Sequence, residues 1–291
     1  MLKTLLAEHR AARFAIAAAT GAAGVLCFAP FGLFWLAPLI WLGLFQLLRS
    51  AGTTRQAALT GLAFGLGFFL SGVSWVYVSL SVFGGMPWWL AGIAAFLFCS
   101  VMALFPMLAG ALFKRWQPAS PWRQALYFAA LIAAVDWLRS WIFTGFPWLT
   151  VGYSQAPPSP LAGFAPLLGV HGLSLLVALA GALLLRWRVG LAFLALTTAT
   201  GYGLQQVPWT SPVGPPVSVA LIQGNVPQEM KFRPEAFART LTLYRELVAQ
   251  NPAQLTLLPE TAIPAFFDQL PPAYIAELKA IVAGHGGDLI F

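Results

Sequence analysis

The chain has 291 residues, of which 59% are hydrophobic and only 9% are charged, and its mean hydropathy is +0.77. Average soluble domains carry roughly a quarter charged residues, so this composition excludes an ordinary soluble domain and predicts a membrane protein. The net charge of +7 does not indicate nucleic-acid binding, because the basic residues occur in short gaps between apolar runs and form no continuous basic patch.

The acidic residues are concentrated near the end of the chain. Residues 1–210 contain only Glu8 and Asp136 as acids, against eleven Lys and Arg, whereas residues 211–291 contain seven acids and five bases. The stretch Val207–Ser218, with four prolines and one glycine, lies at this change. We therefore predict a transmembrane helical bundle over residues 1–210 and a separate, more polar domain over residues 211–291.

The first 210 residues contain long apolar runs. A helix that crosses a bilayer needs about 20 apolar residues, and three of the runs are too long for one span and are interrupted near their middle by segments rich in Gly or Pro. The sequence thus predicts seven spans, which lie between residues 13 and 49 (two), 55 and 114 (two), 123 and 186 (two), and 189 and 207 (one).

Basic residues occur in alternate connections between these spans. They are Lys3, Arg10 and Arg13, then Arg49 and Arg55, then Lys114, Arg115 and Arg123, then Arg186 and Arg188. The other connections hold essentially none, except for Arg139 near the end of the fifth span. Because cytoplasmic connections carry the excess of Lys and Arg, we predict a cytoplasmic N-terminus. Seven crossings then place everything after Val207 on the outer side of the membrane.

Asp136 and Arg139 are ionisable residues inside a predicted span. They are three residues apart, so they lie on one helix face and can pair. Ionisable groups at membrane depth indicate function by default, but a structural ion pair that locks the bundle explains the spacing equally well. Three tryptophans are expected as interfacial anchors: Trp137, Trp141 and Trp148. We expect this helix to end at Pro147, and the next stretch to lie at the outer surface or to dip back into it.

Residues after 211 alternate between strand and helix patterns. The sequence predicts a strand within Pro216–Val226, a helix over 234–250, a strand at 255–258, a helix over about 272–283 and a third strand at 288–291. The apolar stripe of the first of these helices consists of Phe237, Leu241, Tyr244 and Val248. This β-α-β-α-β order is that of a sheet with helices packed on it. The third strand has no covering helix and no neighbour beyond it, so we expect part of a longer domain.

Glu260 follows the second predicted strand within "LTLLPETAIP" (Leu255–Pro264). Open α/β sheets gather active-site groups at the carboxyl ends of their strands. The apolar residues on both sides predict a poorly solvated carboxylate, which is a better base near neutral pH. An ordinary solvated loop glutamate remains the alternative.

The cysteines and histidines do not form a recognisable site. Cys27 and Cys99 lie far apart in apolar segments, so neither a disulfide nor a metal site is expected. His171 is expected at the membrane interface, and His9 and His285 carry no indication of function.

Several motifs together resemble one family. They are "FAPFG" near Phe28, "SWVYVSL" at Ser74, "DWLRSWIFTGFPWLTVGYSQ" at Asp136, "VALIQGNVPQEMKF" at Val219 and "LPETAIP" at Leu258. In this order they closely resemble bacterial apolipoprotein N-acyltransferase, a polytopic membrane enzyme with a nitrilase-like domain outside the membrane. The resemblance covers nearly all of the 291 residues.

The resemblance implies acyl transfer in two steps at the bacterial inner membrane. A cysteine thiolate takes a fatty acyl group from a phospholipid donor, and the N-terminal amine of a diacylated apolipoprotein then attacks the thioester. A glutamate serves as general base and a lysine stabilises the oxyanion; the family's "PE" glutamate corresponds to Glu260. The resemblance also suggests four residues for substrate binding: Gln223, Asn225, Phe232 and Pro264. No cofactor, metal or nucleic acid is implied.

The chain departs from the family's pattern at several positions. The family's lysine and nucleophilic cysteine lie beyond the glutamate, but no cysteine follows Glu260 here, and Lys279 comes too early in the chain to replace the lysine. The final transmembrane helix is also missing. Leu258 and Phe232 stand where the family often has Trp, and Asp136 stands where Glu is common. We therefore expect a C-terminally truncated chain that is inactive on its own.

Two other classes of function remain. A membrane fragment that binds lipid or lipoprotein without catalysis fits a chain that lacks the nucleophile. A transporter fits seven spans and an intramembrane ion pair, but the sequence has no internal repeat and only one such pair.

Overall fold

The computed structural model describes residues 10–291, so Lys3, Glu8 and His9 lie outside the described residues. The chain divides into two compact units between Thr210 and Ser211. We call residues 1–210 the bundle unit and residues 211–291 the sheet unit, and each is described by itself.

The described part of the bundle unit contains seven helices of 13 residues or more. They are α1 (Arg10–Gly24), α2 (Ala37–Arg49), α3 (Thr54–Gly72), α4 (Trp88–Arg115), α5 (Pro121–Arg139), α6 (Ala165–Leu183) and α7 (Trp187–Gln205). Each helix overlaps one of the predicted spans. Between α3 and α4 lie a short helix, Trp75–Val78, and one π-helical segment, Ser79–Phe83.

The length and composition of these helices fit a membrane protein. Among the described residues, Trp88–Arg115 and Pro160–Leu183 are long and apolar enough to cross a bilayer. A third span is present if α3 and Trp75–Phe83, which are bent by 50° relative to each other, form one crossing. The protein is thus a mostly helical membrane protein, and the number of seven crossings stays a prediction.

Small residues allow α3 to approach its neighbours closely. A Cβ atom on Gly61 would overlap the carbonyl of Pro106 in α4, and one on Gly65 would lie 2.8 Å from the Cα of Ala103. Membrane helices commonly use such residues for close packing, because the lipid supplies little hydrophobic driving force between helices. Phe64, which is fully buried, fills the core beside this contact.

The fifth helix ends earlier than the sequence predicted. α5 ends at Arg139, and the chain then turns through Phe143 and Thr144, whose φ angles are 53° and 76°. The N–H of Phe146 donates back to the carbonyl of Arg139 at 2.9 Å. The expected helix end at Pro147 is therefore wrong, because the chain after Arg139 bends back onto the end of its own helix.

The stretch after this turn enters the bundle. Thr150, Gln155 and Ser159 are all buried. The Gln155 side chain donates to the carbonyl of Phe34 at 3.3 Å and accepts from the Ser159 hydroxyl at 2.8 Å. The stretch is therefore packed among the helices of the bundle unit, and its position relative to the membrane surface stays a prediction.

The sheet unit contains a three-stranded parallel sheet of order β1-β2-β3, with β1 at Val219–Leu221, β2 at Leu255–Leu257 and β3 at Asp288–Ile290. In the register, Val219 lies opposite Leu255, which lies opposite Asp288. Two helices, α8 (Pro234–Gln250) and α9 (Pro272–Gly284), connect the strands. The predicted strand-helix order is confirmed.

The first strand is shorter than the predicted Pro216–Val226. Pro216 has no N–H to donate to a ladder. At the other end, Asn225 has a φ angle of 48°, which turns the chain away from the sheet. Regular pairing is therefore limited to Val219–Leu221.

One face of the sheet is covered and the other is not. Tyr244 and Val248 of α8 and Leu278 and Val282 of α9 belong to the same buried cluster as Ile222, so both helices lie on one face. Leu241 and Phe237 pack partly buried against it, which confirms the predicted stripe.

The opposite face exposes apolar side chains. Val219 is 50% exposed, Leu221 76% and Ile290 58%. Within residues 211–291, β3 pairs only with β2, as predicted for an edge strand. The sheet thus presents an apolar face and an open edge in a unit that is more charged than the bundle unit.

Candidate functional site

Glu260 lies at the carboxyl edge of the central strand. The ladder continues just beyond β2, because the N–H of Ile222 donates to the carbonyl of Leu257 and the N–H of Leu258 donates to that of Ile290, both at 2.9 Å. A turn follows, in which Thr261 has a φ angle of 56° and the N–H of Ala262 donates to the carbonyl of Pro259 at 3.0 Å. This turn projects Glu260 beyond the strand edge.

The carboxylate of Glu260 is solvent-exposed, so the predicted poorly solvated environment is wrong. Leu258, Ala262 and Ile263 turn their side chains into the core instead, where each is less than 10% exposed. The apolar neighbours therefore anchor the turn without covering the carboxylate.

Lys231 contacts the turn that carries Glu260. Its Nζ donates to the carbonyl oxygen of Glu260 at 3.3 Å. Lys231 lies in a single helical turn, Gln228–Lys231, that follows β1. Sequence reasoning missed this residue, although it is part of the motif "QGNVPQEMKF". A lysine in the loop that follows the neighbouring strand is the signal that could have identified it.

The residues suggested for substrate binding lie in the loops at the same edge. Gln223, Asn225 and Phe232 are exposed, and Pro264 is half-buried. A surface cavity of about 260 Å³ opens between the loop after β1 and α8, and Asn225 is the one of these four residues that lines it. The structure therefore brings the two loops to one edge but does not enclose a single pocket around these side chains.

The second candidate site is the ion pair inside the bundle unit. Arg139, only 2% exposed, donates from Nη2 to Oδ1 of Asp136 at 3.2 Å. Its Nη1 donates to the carbonyls of Phe146 and, at 2.7 Å, Trp148. The guanidinium carbon also lies 5.3 Å from the centre of the Phe69 ring. The predicted pairing is confirmed, and the arginine in addition holds the loop that follows its helix.

Asp136 uses its second oxygen to connect three segments. Oδ2 accepts from the N–H of Val151 at 2.9 Å and from the hydroxyl of Ser174 in α6 at 3.0 Å. Ser174 in turn accepts from the N–H of Gly152 at 2.9 Å. Both carboxylate oxygens are therefore engaged, and the pair fixes the returning chain between α5 and α6.

The predicted interfacial tryptophans lie in this loop or shortly before it in the chain. Trp137, Trp141 and Trp148 are each about half exposed. Trp137 and Trp141 are in contact, and Trp148 contacts Trp75, with ring centres 5.2 Å apart in both pairs. Half-exposed indoles suit the boundary between lipid and water.

The two cysteines and Lys279 differ in their exposure. Cys27 and Cys99 are both buried in the bundle unit, and the Cys99 thiol lies 3.5 Å from the carbonyl oxygen of Phe69. Lys279 is exposed on α9. Across residues 10–291, no cluster of three or more His, Cys, Asp or Glu could hold a metal ion.

Comparison with known proteins identifies the family. A model of the apolipoprotein N-acyltransferase N-terminal domain matches residues 20–183. An apolipoprotein N-acyltransferase of Nitrosomonas europaea is 47% identical over 287 residues, which cover 96% of this chain and 57% of that protein. Relatives of the same name from Ralstonia nicotianae and Chromobacterium violaceum are each 42% identical, over 96% and 90% of this chain and 55% and 52% of their own lengths.

This chain spans little more than half the length of these relatives. The family model nevertheless covers more than half of its residues, and it includes the loop fixed by Asp136 and Arg139. The chain therefore belongs to the apolipoprotein N-acyltransferase family.

Proposed function

We propose that residues 1–291 form the membrane bundle and the first part of the nitrilase-like domain of a bacterial apolipoprotein N-acyltransferase. The complete enzyme transfers a fatty acyl chain from a phospholipid to the N-terminal diacylglyceryl-cysteine of an apolipoprotein. The observation that carries this proposal is the position of Glu260, which directly follows the central strand at the edge where such sheets gather reactive groups.

In the proposed reaction Glu260 is the general base. It takes the proton of a cysteine thiol, the thiolate attacks the ester carbonyl of the phospholipid, and the lysophospholipid leaves as an alcohol. The amine of the apolipoprotein then attacks the thioester, which forms an amide and releases the thiol. No cysteine follows Glu260 in these 291 residues, and the proposed reaction takes its nucleophile and oxyanion lysine from the part of the relatives' length that this chain does not span.

The exposed apolar face of the sheet supports an incomplete domain. A nitrilase-like domain packs two sheets face to face, and the face with Val219, Leu221 and Ile290 is free for such a contact. Covering it would bury apolar surface, and each fully buried side chain of this kind contributes about 1.5–3 kcal/mol. We infer that this face receives the second sheet.

The loops around Glu260 are proposed to bind substrate. Gln223 and Asn225 offer amide groups, and Phe232 and Pro264 offer apolar surface, at the edge that carries Glu260. We assign Lys231 a positioning role, because its hydrogen bond to the Glu260 carbonyl fixes the turn that presents the carboxylate.

The pair of Asp136 and Arg139 is proposed to be structural. Its donors and acceptors are directed at the chain from Phe146 to Gly152 and at α6. We infer that it holds this loop and its tryptophans at the outer boundary of the membrane.

We also propose a multi-pass inner-membrane protein with a cytoplasmic N-terminus, seven spans and a periplasmic sheet unit. The alternation of Lys and Arg between connections supports this orientation. A cysteine placed at Ser211, in a chain with Cys27 and Cys99 changed to Ala, should react with a membrane-impermeant thiol reagent from the periplasmic side. Labelling from the cytoplasmic side alone would overturn this orientation.

The activity is tested with a chimera in which the remaining part of the Nitrosomonas europaea relative follows residue 291. Both the chimera and residues 1–291 are purified in detergent and incubated with labelled phospholipid and a diacylated lipopeptide. We expect triacylated product from the chimera and none from residues 1–291 above a control without protein. Product from residues 1–291, or no product from a folded chimera, would contradict the proposal.

A further inference from the structure

A groove runs between α1 and α2 on the surface of the bundle unit. It has a volume of about 470 Å³, and its lining extends along α2 from Leu39 to Ser50, the residue after the helix, a length of about 16 Å at 1.5 Å per residue. Ile16 of α1 and Leu39 are 42% and 49% exposed and give it apolar walls. The helices meet at Gly43, where a Cβ atom would lie 3.0 Å from Thr20 Cγ2. The groove is therefore elongated, and apolar side chains such as Leu39 and Leu42 share its walls with the polar Thr20 and Gln46.

One end of the groove is polar and cationic. Arg49 lines this end, with its Nε donating to Gln124 Oε1 at 2.7 Å and its guanidinium carbon 5.5 Å from the centre of the Phe45 ring. Within residues 10–291, its two terminal nitrogens donate no hydrogen bond. Gln117 lines the same end and accepts from Lys114 Nζ at 2.9 Å. Arg49 thus lines this end of the groove, and Lys114 contacts the lining residue Gln117.

No carboxylate compensates these two charges in the described part of the bundle unit. Asp136 is the only acid there, and it pairs with Arg139. The backbone at this end is also fixed, because Arg13 donates to the carbonyls of Leu47 at 2.6 Å and Ser50 at 3.2 Å. The cationic end is therefore held in place by the fold and complements an anion.

We propose that this groove binds an anionic phospholipid, with one acyl chain along α2 and the phosphate at Arg49 and Lys114. Arginine binds phosphate oxygens through parallel N–H donors. Basic pockets between membrane helices favour acidic headgroups over zwitterionic ones, because the ammonium group of a zwitterionic lipid is repelled by the same cations. The site lies in the bundle unit and its occupancy requires no acyl transfer, so it is independent of the proposed enzymatic function.

The test is lipid retention by residues 1–291, measured by native mass spectrometry after mixing with equal amounts of phosphatidylglycerol and phosphatidylethanolamine. We expect preferential retention of one phosphatidylglycerol. Arg49→Gln should weaken this retention by about tenfold, the effect of losing charge-assisted hydrogen bonds. The matched control is Arg115→Gln, an exposed base next to Lys114 that does not line the groove, and it should leave retention unchanged.

A second pair of variants tests the acyl-chain channel. Gln46 is exposed and lines the groove, so Gln46→Trp should fill the channel and abolish preferential retention. Leu196→Trp places the same indole on α7, at a side chain that is 66% exposed and outside the groove, and should have no effect.

Three outcomes would overturn the proposal. Equal losses from Arg49→Gln and Arg115→Gln would indicate general surface charge, and equal retention of both lipids would remove the headgroup preference. Binding of inorganic phosphate that depends on Arg49, without any retained lipid, would indicate a phosphate site instead. If Arg49→Gln lowers the unfolding temperature of the protein, Lys114→Gln provides the same test without breaking the bond to Gln124.

Discussion

Two carboxylates, one in each unit, have opposite environments. Asp136 is 7% exposed, and its oxygens accept from Arg139, Val151 and Ser174. Glu260 is exposed, and within residues 10–291 its carboxylate has no hydrogen-bond or ion-pair partner. A carboxylate whose oxygens are all engaged is fixed and holds structure, whereas one with free oxygens can accept a proton from a substrate. The comparison therefore supports the different roles proposed for the two acids.

The apolar surfaces of the two units differ as well. The bundle unit exposes side chains such as Leu97 (57%) and Leu196 (66%) on apolar helices, where lipid can cover them. The sheet unit exposes Leu221 (76%) on a sheet rather than on a long apolar helix, and the unit as a whole holds seven of the chain's nine acids. Exposed apolar patches of this kind mark interaction surfaces, which agrees with the proposed contact to a second sheet.

The largest expected effect comes from breaking the buried pair. Arg139→Ala leaves the Asp136 carboxylate buried without its charge partner, and removal of one member of a buried pair costs about 3–5 kcal/mol. We expect a large fall in the unfolding temperature in detergent. Arg115→Ala, at an exposed base, should leave it nearly unchanged. Equal effects of the two variants would remove the structural role assigned to the pair.

A smaller effect distinguishes the two faces of the sheet. Leu278 is 1% exposed on the covered face, so Leu278→Ala should destabilise the sheet unit by about 2–5 kcal/mol. Leu221→Ala removes the same atoms from the exposed face and should change stability by less than about 0.5 kcal/mol. The protease resistance of residues 211–291 measures the stability change caused by each of these two variants. Strong destabilisation by Leu221→Ala would show that this face is already packed.

The smallest expected effect is a pH dependence of the sheet unit. Burial raises the pKa of Tyr274 from 10.0 to about 12, with Glu277 and Tyr244 adding to the shift and Arg245 opposing it. The phenol donates to the carbonyl of Leu241 at 3.1 Å.

Because the folded state keeps this proton more firmly than the unfolded state, the contribution of Tyr274 to stability is complete below pH 10 and is lost between pH 10 and about 12. Protease resistance measured across this range should fall less steeply in Tyr274→Phe than in the unchanged protein. If protease resistance falls equally steeply with pH in the two proteins, the raised pKa of Tyr274 would be contradicted.

The positions of the helices could be predicted from sequence, because long apolar runs end at basic residues or at Gly and Pro. The end of α5 could not, since the return of the chain depends on bonds from Arg139 to the carbonyls of Phe146 and Trp148, which no periodicity encodes. The edge position of Glu260 was predictable from strand order. Its exposure was not, because apolar neighbours in sequence, such as Leu258 and Ile263, point into the core.

The central claim is that Glu260 is the general base, and acyl-enzyme formation by the chimera tests it most directly. Labelled phospholipid is added without acceptor, and the rate of thioester formation is measured in the chimera and in its Glu260→Gln form, which keeps the size of the side chain. General bases contribute about 10²–10⁴-fold, so the rate should fall by that factor. Glu277→Gln, a control at an exposed glutamate that pairs with Arg245 at 3.4 Å, should keep the full rate. Thioester formation by a folded Glu260→Gln chimera at an undiminished rate would contradict the account.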